Sequence, residues 1–292
     1  MNDNIFITTD ATADFPSRAA AKYERFKIIP MTYFMDNTLY DGVKNPFLDP
    51  IDFYRKMDNG AMPQTSLITS ETASEFFGGI LSRGFDIIHI SFSSALSGTY
   101  AAVTRAAEEL KKDYPDRRLT VIDSLSASAG EGLLVSYVLD KRDSGADYDE
   151  IVRYTEDLKG SVVQVFLVDD LFHLYRGGRI SRSSAVLGSV MQLKPVMHVS
   201  AAGRLEVTNK MPGRKLGMQM LINKFTDKSA GFENERVFIG YGNRYADALW
   251  IAQKINDLTR GYADIMVDHI GSVIGSHVGG GVLALFFLGR PR

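Results

Sequence analysis

Hydroxyl side chains are concentrated in one short segment, residues 91–99, whose sequence is Ser-Phe-Ser-Ser-Ala-Leu-Ser-Gly-Thr. The segment follows a predicted strand at 86–90 and precedes a predicted helix, so its hydroxyls and the free amides of the helix's first turn should meet at the carboxyl edge of a sheet. Gly98 lets a ligand approach the backbone closely. Because the segment has no Lys or Arg, these neutral donors suit one carboxylate better than a triphosphate.

Helix capping is the alternative interpretation of these hydroxyls. Ser97 or Thr99 alone could cap the following helix, and such a cap contributes about 1 kcal/mol of stability. One cap needs only one hydroxyl, however, and the segment also offers others, including Ser94. The number of hydroxyls therefore favours a binding site.

A second group of hydroxyls lies upstream, at positions 65–66 and 69–70. Ser70 can cap the predicted helix that follows it. Thr65 and Ser66 lie too far before that helix to cap it. We therefore expect Thr65 and Ser66 to be free to contact a ligand at the same edge of the sheet.

The sequence lacks the signatures of the common catalytic sites. It has no Gly-x-x-x-x-Gly-Lys-Ser/Thr loop, no Gly-x-Gly-x-x-Gly after a strand, no Gly-x-Ser-x-Gly and no His-Glu-x-x-His. It has 0 cysteines, which excludes a thiol nucleophile, a disulfide and thiolate-bound zinc. His269 and His277 are poorly spaced for two metal ligands on one helix. We expect a ligand-binding protein with no catalytic residue, no metal and no cofactor, in which Asp123, Asp169 and Asp170 anchor loops at strand ends.

Elements that would position these residues can be predicted along the first half of the chain. Short apolar runs alternate there with amphipathic segments, which is typical of βα units around a largely parallel sheet. The predicted strands are 5–7, 86–90 and 119–122, and the predicted helices are 73–81 and 103–110. Thr72 and Glu75 form a potential capping box for the first of these helices.

The second half begins near Gly160 and has a different pattern. It predicts a buried strand at 162–168, a hairpin at 195–207, a strand at 237–241, a helix at 246–258 and a last strand at 282–288. We therefore predict an α/β protein of two domains. The N-terminal domain, 1–158, has a largely parallel βα sheet, and the C-terminal α/β domain, 159–292, has a mixed sheet.

The amino-acid composition limits which classes of binding partner are expected. The 292 residues include 33 Lys and Arg and 35 Asp and Glu, for a net charge of −2, so nothing in the overall charge favours nucleic acid or anionic lipid. The N-terminus does not resemble a signal peptide, and no stretch approaches the roughly 20 apolar residues of a membrane span. We expect a soluble, cytoplasmic protein that binds no nucleic acid.

Several motifs, in this order, resemble those of the DegV family of bacterial fatty-acid-binding proteins. They lie at 7–14, 63–66, 93–100, 121–124, 168–171, 176–181, 193–195 and 274–277, and so cover nearly the whole chain. Two departures stand out. Ala11 replaces the serine of the usual Asp-Ser-Thr, and Leu67-Ile68 replaces the Gln-Pro that commonly follows Thr-Ser.

The resemblance implies a two-domain protein that holds one long-chain, palmitate-like fatty acid in a tunnel between its domains. By similarity, Thr65 and Ser97 hold the carboxylate, and His277 orients the Thr65 hydroxyl. Ser66, next to Thr65, and Ser94, in the segment 91–99, are further candidates for contacting the fatty acid. The resemblance also implies a partner. A separate ATP-binding subunit of a fatty acid kinase would phosphorylate the bound carboxylate to acyl phosphate for phospholipid synthesis, and this chain would be the non-catalytic subunit.

Three arginines recur at every third residue, at Arg176, Arg179 and Arg182, and the family's Gly-Gly-Arg arginine corresponds to Arg179. A basic turn of this kind is often simply exposed to solvent and has no binding role. The functional interpretation is a docking or phosphate-steering patch for the kinase partner, together with Lys210, Arg214 and Lys215.

Two other functions remain open at this stage. One is a stand-alone hydrolase or acyltransferase that uses Ser97 or Ser94 with His277, although the sequence has no nucleophile elbow. The other is a lipid-sensing regulator without a kinase partner, which would use the same binding residues.

Overall fold

The computed structural model describes residues 4–42, 44–181 and 193–290. In the first half, the strands are β1 (Ile5–Asp10), β2 (Phe26–Ile29), β3 (Tyr33–Met35), β4 (Thr38–Tyr40), β5 (Gln64–Thr65), β6 (Asp86–Ser91) and β7 (Leu119–Asp123). The helices are α1 (Ser17–Ala20), α2 (Pro50–Asp58), α3 (Ser70–Leu81), α4 (Thr99–Asp113), α5 (Ala129–Asp143) and α6 (Tyr148–Lys159), and a 3-10 turn spans Ala11–Ala13.

The first sheet is parallel throughout, as predicted, in the order β2-β1-β6-β7. Side chains alternate between its two faces, because successive residues of a strand point in opposite directions. Phe6 and Ile87 pack with α3 and α4, whereas Ile7 and Ile88 belong to the core on the side of α5. The sheet is therefore covered on both faces, as parallel sheets usually are.

A small antiparallel sheet, in the order β4-β3-β5, was not predicted from the sequence. It packs with α2 around Tyr33, Phe53 and Tyr54, all of which are buried. Its third strand pairs Thr65 with Tyr33. This sheet therefore fixes the position of one of the two predicted carboxylate-binding residues.

In the second half, the strands are β8 (Val162–Leu167), β9 (Leu193–Val199), β10 (Leu205–Pro212), β11 (Arg236–Tyr241), β12 (Asp264–His269) and β13 (Leu283–Leu288). The helices are α7 (Phe172–Arg176), α8 (Arg214–Lys228), α9 (Tyr245–Leu258) and α10 (Ser272–Val278). The sheet order is β10-β9-β8-β13-β11-β12. It is mixed, as predicted: β11 and β12 are parallel and the other pairs are antiparallel.

The helix α5 lies between the two large sheets. Its apolar residues, such as Leu133, Leu134 and Val138, are fully buried in a core that also holds residues of both sheets. Residues 129–136 are buried without a break, so this part of the helix is covered on every side. Gly132 permits the closest approach, since a Cβ there would lie 2.5 Å from the carbonyl oxygen of Ala13. The central core is thus shared by the two halves of the chain.

The predicted capping box at Thr72 and Glu75 is wrong, because the helix begins earlier. Thr69 is the N-cap of α3, and its hydroxyl accepts a hydrogen bond from the backbone N–H of Thr72 at 3.2 Å. Ser70 is not a cap either, since its hydroxyl donates to the carbonyl of Ala102 at 3.0 Å and so joins α3 to α4. Within the described ranges, no helix has both the length and the apolar character that crossing a membrane requires.

Candidate functional site

A large cavity lies between the two main sheets. The space between its walls is about 990 Å³ when the open mouth is counted with it. Most of its walls are apolar, with contributions from both halves of the chain, including Phe92, Phe166, Val199, Leu205, Ile274 and Phe286. Such walls favour an apolar ligand or the apolar part of a larger one.

Four of the predicted fatty-acid-binding residues line this cavity together. Thr65 comes from the end of β5, Ser97 from the loop between β6 and α4, and His277 from the last turn of α10. Ser66 lines it as well. The structure therefore brings together residues that are widely separated in the sequence.

Thr65 and His277 are directly hydrogen-bonded, with 2.9 Å between Thr65 Oγ1 and His277 Nε2. Burial, together with the nearby charges of Arg179 and Arg176, lowers the pKa of His277 to about 4, so the ring is neutral at pH 7. Its Nδ1 atom is buried and has no hydrogen-bond partner among the described residues. The tautomer with the hydrogen on Nε2 is therefore favoured, because the other would bury an N–H without an acceptor. In that tautomer His277 donates to Thr65, and the Thr65 hydrogen is left for a ligand.

Ser97 is held by a similar arrangement. Its Oγ accepts the backbone N–H of Thr99 at 3.1 Å and lies 3.0 Å from Thr99 Oγ1. Thr99 Oγ1 in turn accepts the backbone N–H of Ile68 at 3.4 Å. When the Thr99 hydroxyl donates to Ser97, the Ser97 hydrogen is free for a ligand. These contacts also hold the 65–68 segment against the start of α4.

The capping interpretation of Ser97 and Thr99 is only partly realised. The N-cap of α4 is Gly98, and no side chain caps the helix there. Ser97 instead closes a local turn by accepting the Thr99 amide. Local structure therefore uses the lone pairs of Ser97 and leaves its donor hydrogen.

Arg179 lines the same cavity, and burial lowers its pKa. Its Nε donates to the carbonyl of Leu96 at 3.2 Å, and its guanidinium also donates to the carbonyl of Gly177. Arg176 instead joins backbone segments, donating to the carbonyls of Pro63 at 3.4 Å and Ser276 at 3.2 Å. The two arginines thus frame the polar end of the cavity.

A second, more polar cavity of about 750 Å³ adjoins this polar end. It shares Thr65, Arg179 and His277 with the apolar cavity and is also lined by Arg176 and the exposed Met62. The shared residues therefore separate an apolar interior from a basic opening at the surface, which we call the mouth pocket.

The structure does not bring Ser94 to the cavity. Ser94 is exposed, and its backbone N–H donates to Asp123 Oδ1 at 3.2 Å, so the loop turns outward at this residue. Asp123 also accepts the N–H of Leu125 at 3.0 Å, as expected of a loop anchor. Arg214 is not part of the basic mouth pocket either, since it pairs with Asp247 and Asp169. Arg182 lies outside the described residues.

Three polar residues of the cavity wall were not predicted: Thr12, Ser128 and Gln164. Gln164 lies in the apolar strand β8, and its side chain accepts the N–H of Ala127 at 3.0 Å and donates to Ser126 Oγ at 2.8 Å. A lone glutamine in the run Val-Val-Gln-Val-Phe-Leu was the available signal, because a buried amide needs partners of this kind.

A group of buried carboxyls lies behind Thr12. The Thr12 hydroxyl contacts both Asp10 and Glu131, and its Oγ1 is 3.0 Å from Glu131 Oε2. Burial raises the pKa of Asp10 and raises that of Glu131 well above its ordinary value. Since Thr12 has one hydrogen for two carboxyl groups, the pair is best satisfied when one of them holds a proton.

The fold and this site define a class: α/β proteins with two sheets, an apolar cavity between them, and hydroxyls and a neutral histidine at the cavity's polar end. The chain belongs to the DegV family, since the family model described as "Uncharacterised protein, DegV family" matches residues 4–290. It is 38% identical, over 98% of each chain, to the DegV domain-containing protein CPE0026 of Clostridium perfringens.

Solved structures with the same fold include fatty-acid-binding proteins. A fatty-acid-binding DegV family protein from Thermus thermophilus is 25% identical and has a TM-score of 0.85, covering 98% of this chain and 100% of its own. The Fatty Acid Kinase (Fak) B3 protein of Streptococcus pneumoniae, loaded with linoleic acid, is 20% identical with a TM-score of 0.85 and the same coverage of both chains. At 20% identity, the similarity to the Streptococcus pneumoniae protein shows a shared fold.

Proposed function

We propose that this protein binds one long-chain fatty acid, with its tail in the apolar cavity and its carboxylate at Thr65 and Ser97. The observation that carries the proposal is the junction of a largely apolar cavity between the two main sheets with two hydroxyls whose hydrogens are free to be donated. Ser66 lies beside them, and His277 orients the Thr65 hydroxyl. Fatty acid binding by the Thermus thermophilus relative supports this ligand class.

The tail and the carboxylate head of the fatty acid contribute differently to the free energy of binding. Each buried methylene contributes about 0.8 kcal/mol, so a 16-carbon tail supplies on the order of 10 kcal/mol before ordering costs. A carboxylate buried without donors would offset much of this gain. The hydroxyls of Thr65 and Ser97, with the cation of Arg179 nearby, supply the compensation. The tail thus provides affinity, and the head group sets the orientation.

The geometry favours a carrier over a serine hydrolase. In such a hydrolase, His277 would be hydrogen-bonded to the nucleophilic serine. Here the described partner of the His277 ring is Thr65, and the described side-chain partner of Ser97 is Thr99. A lipid-sensing regulator would use the same binding residues, and only an assay with kinase subunits separates it from the carrier.

We further propose that the protein presents the bound head group to a separate ATP-dependent kinase subunit, in the cytoplasm where ATP is supplied. A carboxylate oxygen would attack the γ-phosphorus, the bond to the β,γ-bridging oxygen would break, and ADP would leave, giving acyl phosphate for phospholipid synthesis. Arg176 and Arg179 at the mouth pocket suit an approaching polyphosphate. The division into domains 1–158 and 159–292, with the ligand between them, belongs to the same proposal.

Identification of the lipid that copurifies with the protein tests the ligand class. The protein is denatured, extracted with organic solvent and analysed by mass spectrometry. We expect a long-chain fatty acid at close to one molecule per chain. An extract without fatty acid, from a protein that also fails to take up added palmitate, would refute the proposal. Formation of acyl phosphate with ATP and kinase subunits tests the second step.

A further inference from the structure

The carboxylate of Asp14 joins three separate segments of the chain. Asp14 follows the 3-10 turn and has a left-handed backbone, with φ of 42°. Its Oδ2 accepts the hydroxyl of Ser128 at 2.5 Å, and its Oδ1 accepts the backbone N–H of Gly271 at 3.0 Å. Ser128 is the N-cap of α5, and Gly271 is the N-cap of α10. One partly buried side chain therefore connects the segment after the 3-10 turn to the starts of two helices.

The contact with α10 matters because this helix carries part of the site. His277 and three apolar wall residues of the cavity, Val273, Ile274 and Val278, belong to it. Its N-cap is a glycine without a side chain, so the carboxylate of Asp14 acts at a helix start that lacks a cap of its own. A Cβ at position 271 would lie 2.5 Å from Asp14 Oδ1, so the close approach requires glycine there.

The contact with Ser128 accounts for a strained backbone. Ser128 has φ of 54° and ψ of −149°, a conformation that residues other than glycine rarely adopt. Ser128 also lines the apolar cavity. The bond to Asp14 holds this strained residue in the cavity wall, so the same carboxylate contacts two segments that line the cavity.

We propose that Asp14 is a positioning residue for fatty-acid binding: its ionised carboxylate fixes α10 against α5, and so places His277 where it orients Thr65. The inference rests on the proposed function. The anion accepts hydrogen bonds from both Ser128 and Gly271, whereas the neutral acid has a hydrogen of its own to place and accepts more weakly. Protonation of Asp14 therefore loosens α10 and speeds release of the ligand.

The surroundings of Asp14 place this change near neutral pH. The pKa of Asp14 is raised to about 7: burial is the largest cause, the charges of Asp268 and Asp10 add to the rise, and the bonds to Ser128 and Gly271 oppose it. Buried neighbours from the packed elements also include Glu131 of α5 and the Tyr54 hydroxyl of α2, which donates to the carbonyl of Ile270 at 2.8 Å; His269 of β12 stacks on the Tyr54 ring. Ligand retention should fall as pH drops through 7.

The test measures the rate at which preloaded palmitate passes from the protein to albumin, between pH 6 and pH 8. We expect release from the wild type to be about tenfold faster at pH 6, which corresponds to the loss of one charge-assisted hydrogen bond. Asp14→Asn should release palmitate quickly at both pH values. The matched control is Asp157→Asn, which removes an exposed carboxylate of α6 that lines neither cavity, and it should behave as the wild type.

A second variant keeps the test decisive if Asp14→Asn does not fold. Ser128→Ala removes a donor that favours the ionised form, so the midpoint of its release profile should move to higher pH. An unchanged midpoint in Ser128→Ala, or wild-type release with its pH dependence intact in Asp14→Asn, would overturn the proposal and assign the titration to the Asp10 and Glu131 pair. Failure of the wild type to bind palmitate at any pH would instead refute the proposed function.

Discussion

Thr65 Oγ1 lies 2.9 Å from His277 Nε2, although 212 positions separate the two residues in the sequence. Thr65 belongs to the small sheet of the first half and His277 to α10 of the second. The bond lies where the apolar cavity meets the mouth pocket, since both residues line both. A ligand carboxylate held here would be buried along its tail and approachable at its head.

Gly177 should be required for the position of His277. A Cβ at Gly177 would lie 2.3 Å from His277 Nδ1, so Gly177→Ala must displace the imidazole ring. We expect palmitate affinity to fall about tenfold, as for loss of one hydrogen bond to the group that holds the ligand. Titration with a fluorescent fatty acid measures this.

Gly79→Ala is the control for that substitution. It lies in the middle of α3, and a Cβ there meets nothing within 4 Å. Affinity should be unchanged, and stability should rise slightly because alanine favours a helix. Equal affinities for Gly177→Ala and Gly79→Ala would contradict the role given to His277.

Arg176 should matter to the kinase step more than to ligand binding. It lines the mouth pocket but not the apolar cavity. We expect Arg176→Glu to lower the rate of acyl phosphate formation about tenfold with fatty-acid-loaded protein, because a reversed charge repels a polyphosphate and slows association. Radiolabelled ATP with kinase subunits gives the rate.

Lys254→Glu supplies the same change of charge at an exposed position of α9 that lines neither cavity. Its rate should match that of the wild type. If both reversals slow the reaction equally, overall charge matters and the mouth pocket has no special role.

The burial of His89 should make the protein less stable in mild acid. Burial lowers the pKa of His89 from 6.5 to about 3. The unfolded chain therefore takes up a proton near pH 6.5 that the folded protein does not, so stability is complete above that pH and falls as pH drops toward 3. Between pH 7 and pH 5 this residue alone should lower the free energy of unfolding by about 2 kcal/mol.

Urea unfolding at the two pH values measures the effect. His89→Gln keeps a group able to bond Thr8, whose Oγ1 lies 3.0 Å from His89 Nδ1, and it should show a smaller loss between pH 7 and pH 5. His198→Gln is the control, because the His198 side chain is 30% exposed. The same pH dependence in wild type and His89→Gln would exclude His89 as the source.

Much of the fold could be predicted because its strands are long apolar runs. Such runs and their turns predict the parallel strands β1, β6 and β7, the hairpin β9–β10 and the mixed second sheet. The strands β3, β4 and β5 have three, three and two residues, too few for an alternating pattern to show. Their sheet is held by Tyr33 and Phe53 against α2, a tertiary contact that has no local signal.

Site residues could be predicted where residues of one type cluster in the sequence, but not where a single site residue stands alone. The hydroxyl-rich loop indicated Ser97 from its composition, but Ser94 three residues earlier is exposed because the loop turns outward there, where the Ser94 N–H donates to Asp123. His277 was indicated only by resemblance. Asp14 has no marker in the sequence, since its partners Ser128 and Gly271 are more than a hundred residues away.

Palmitate binding by the double variant Thr65→Ala/Ser97→Ala tests the central claim most directly. It removes both free donors while leaving the apolar cavity in place, and Ser94→Ala is the matched control from the same loop. We predict that the control retains palmitate as the wild type does and that the double variant loses about a hundredfold in affinity, as for two hydrogen bonds to a charged group. Equal palmitate affinity in the double variant and the wild type would contradict the assignment of the carboxylate to these hydroxyls.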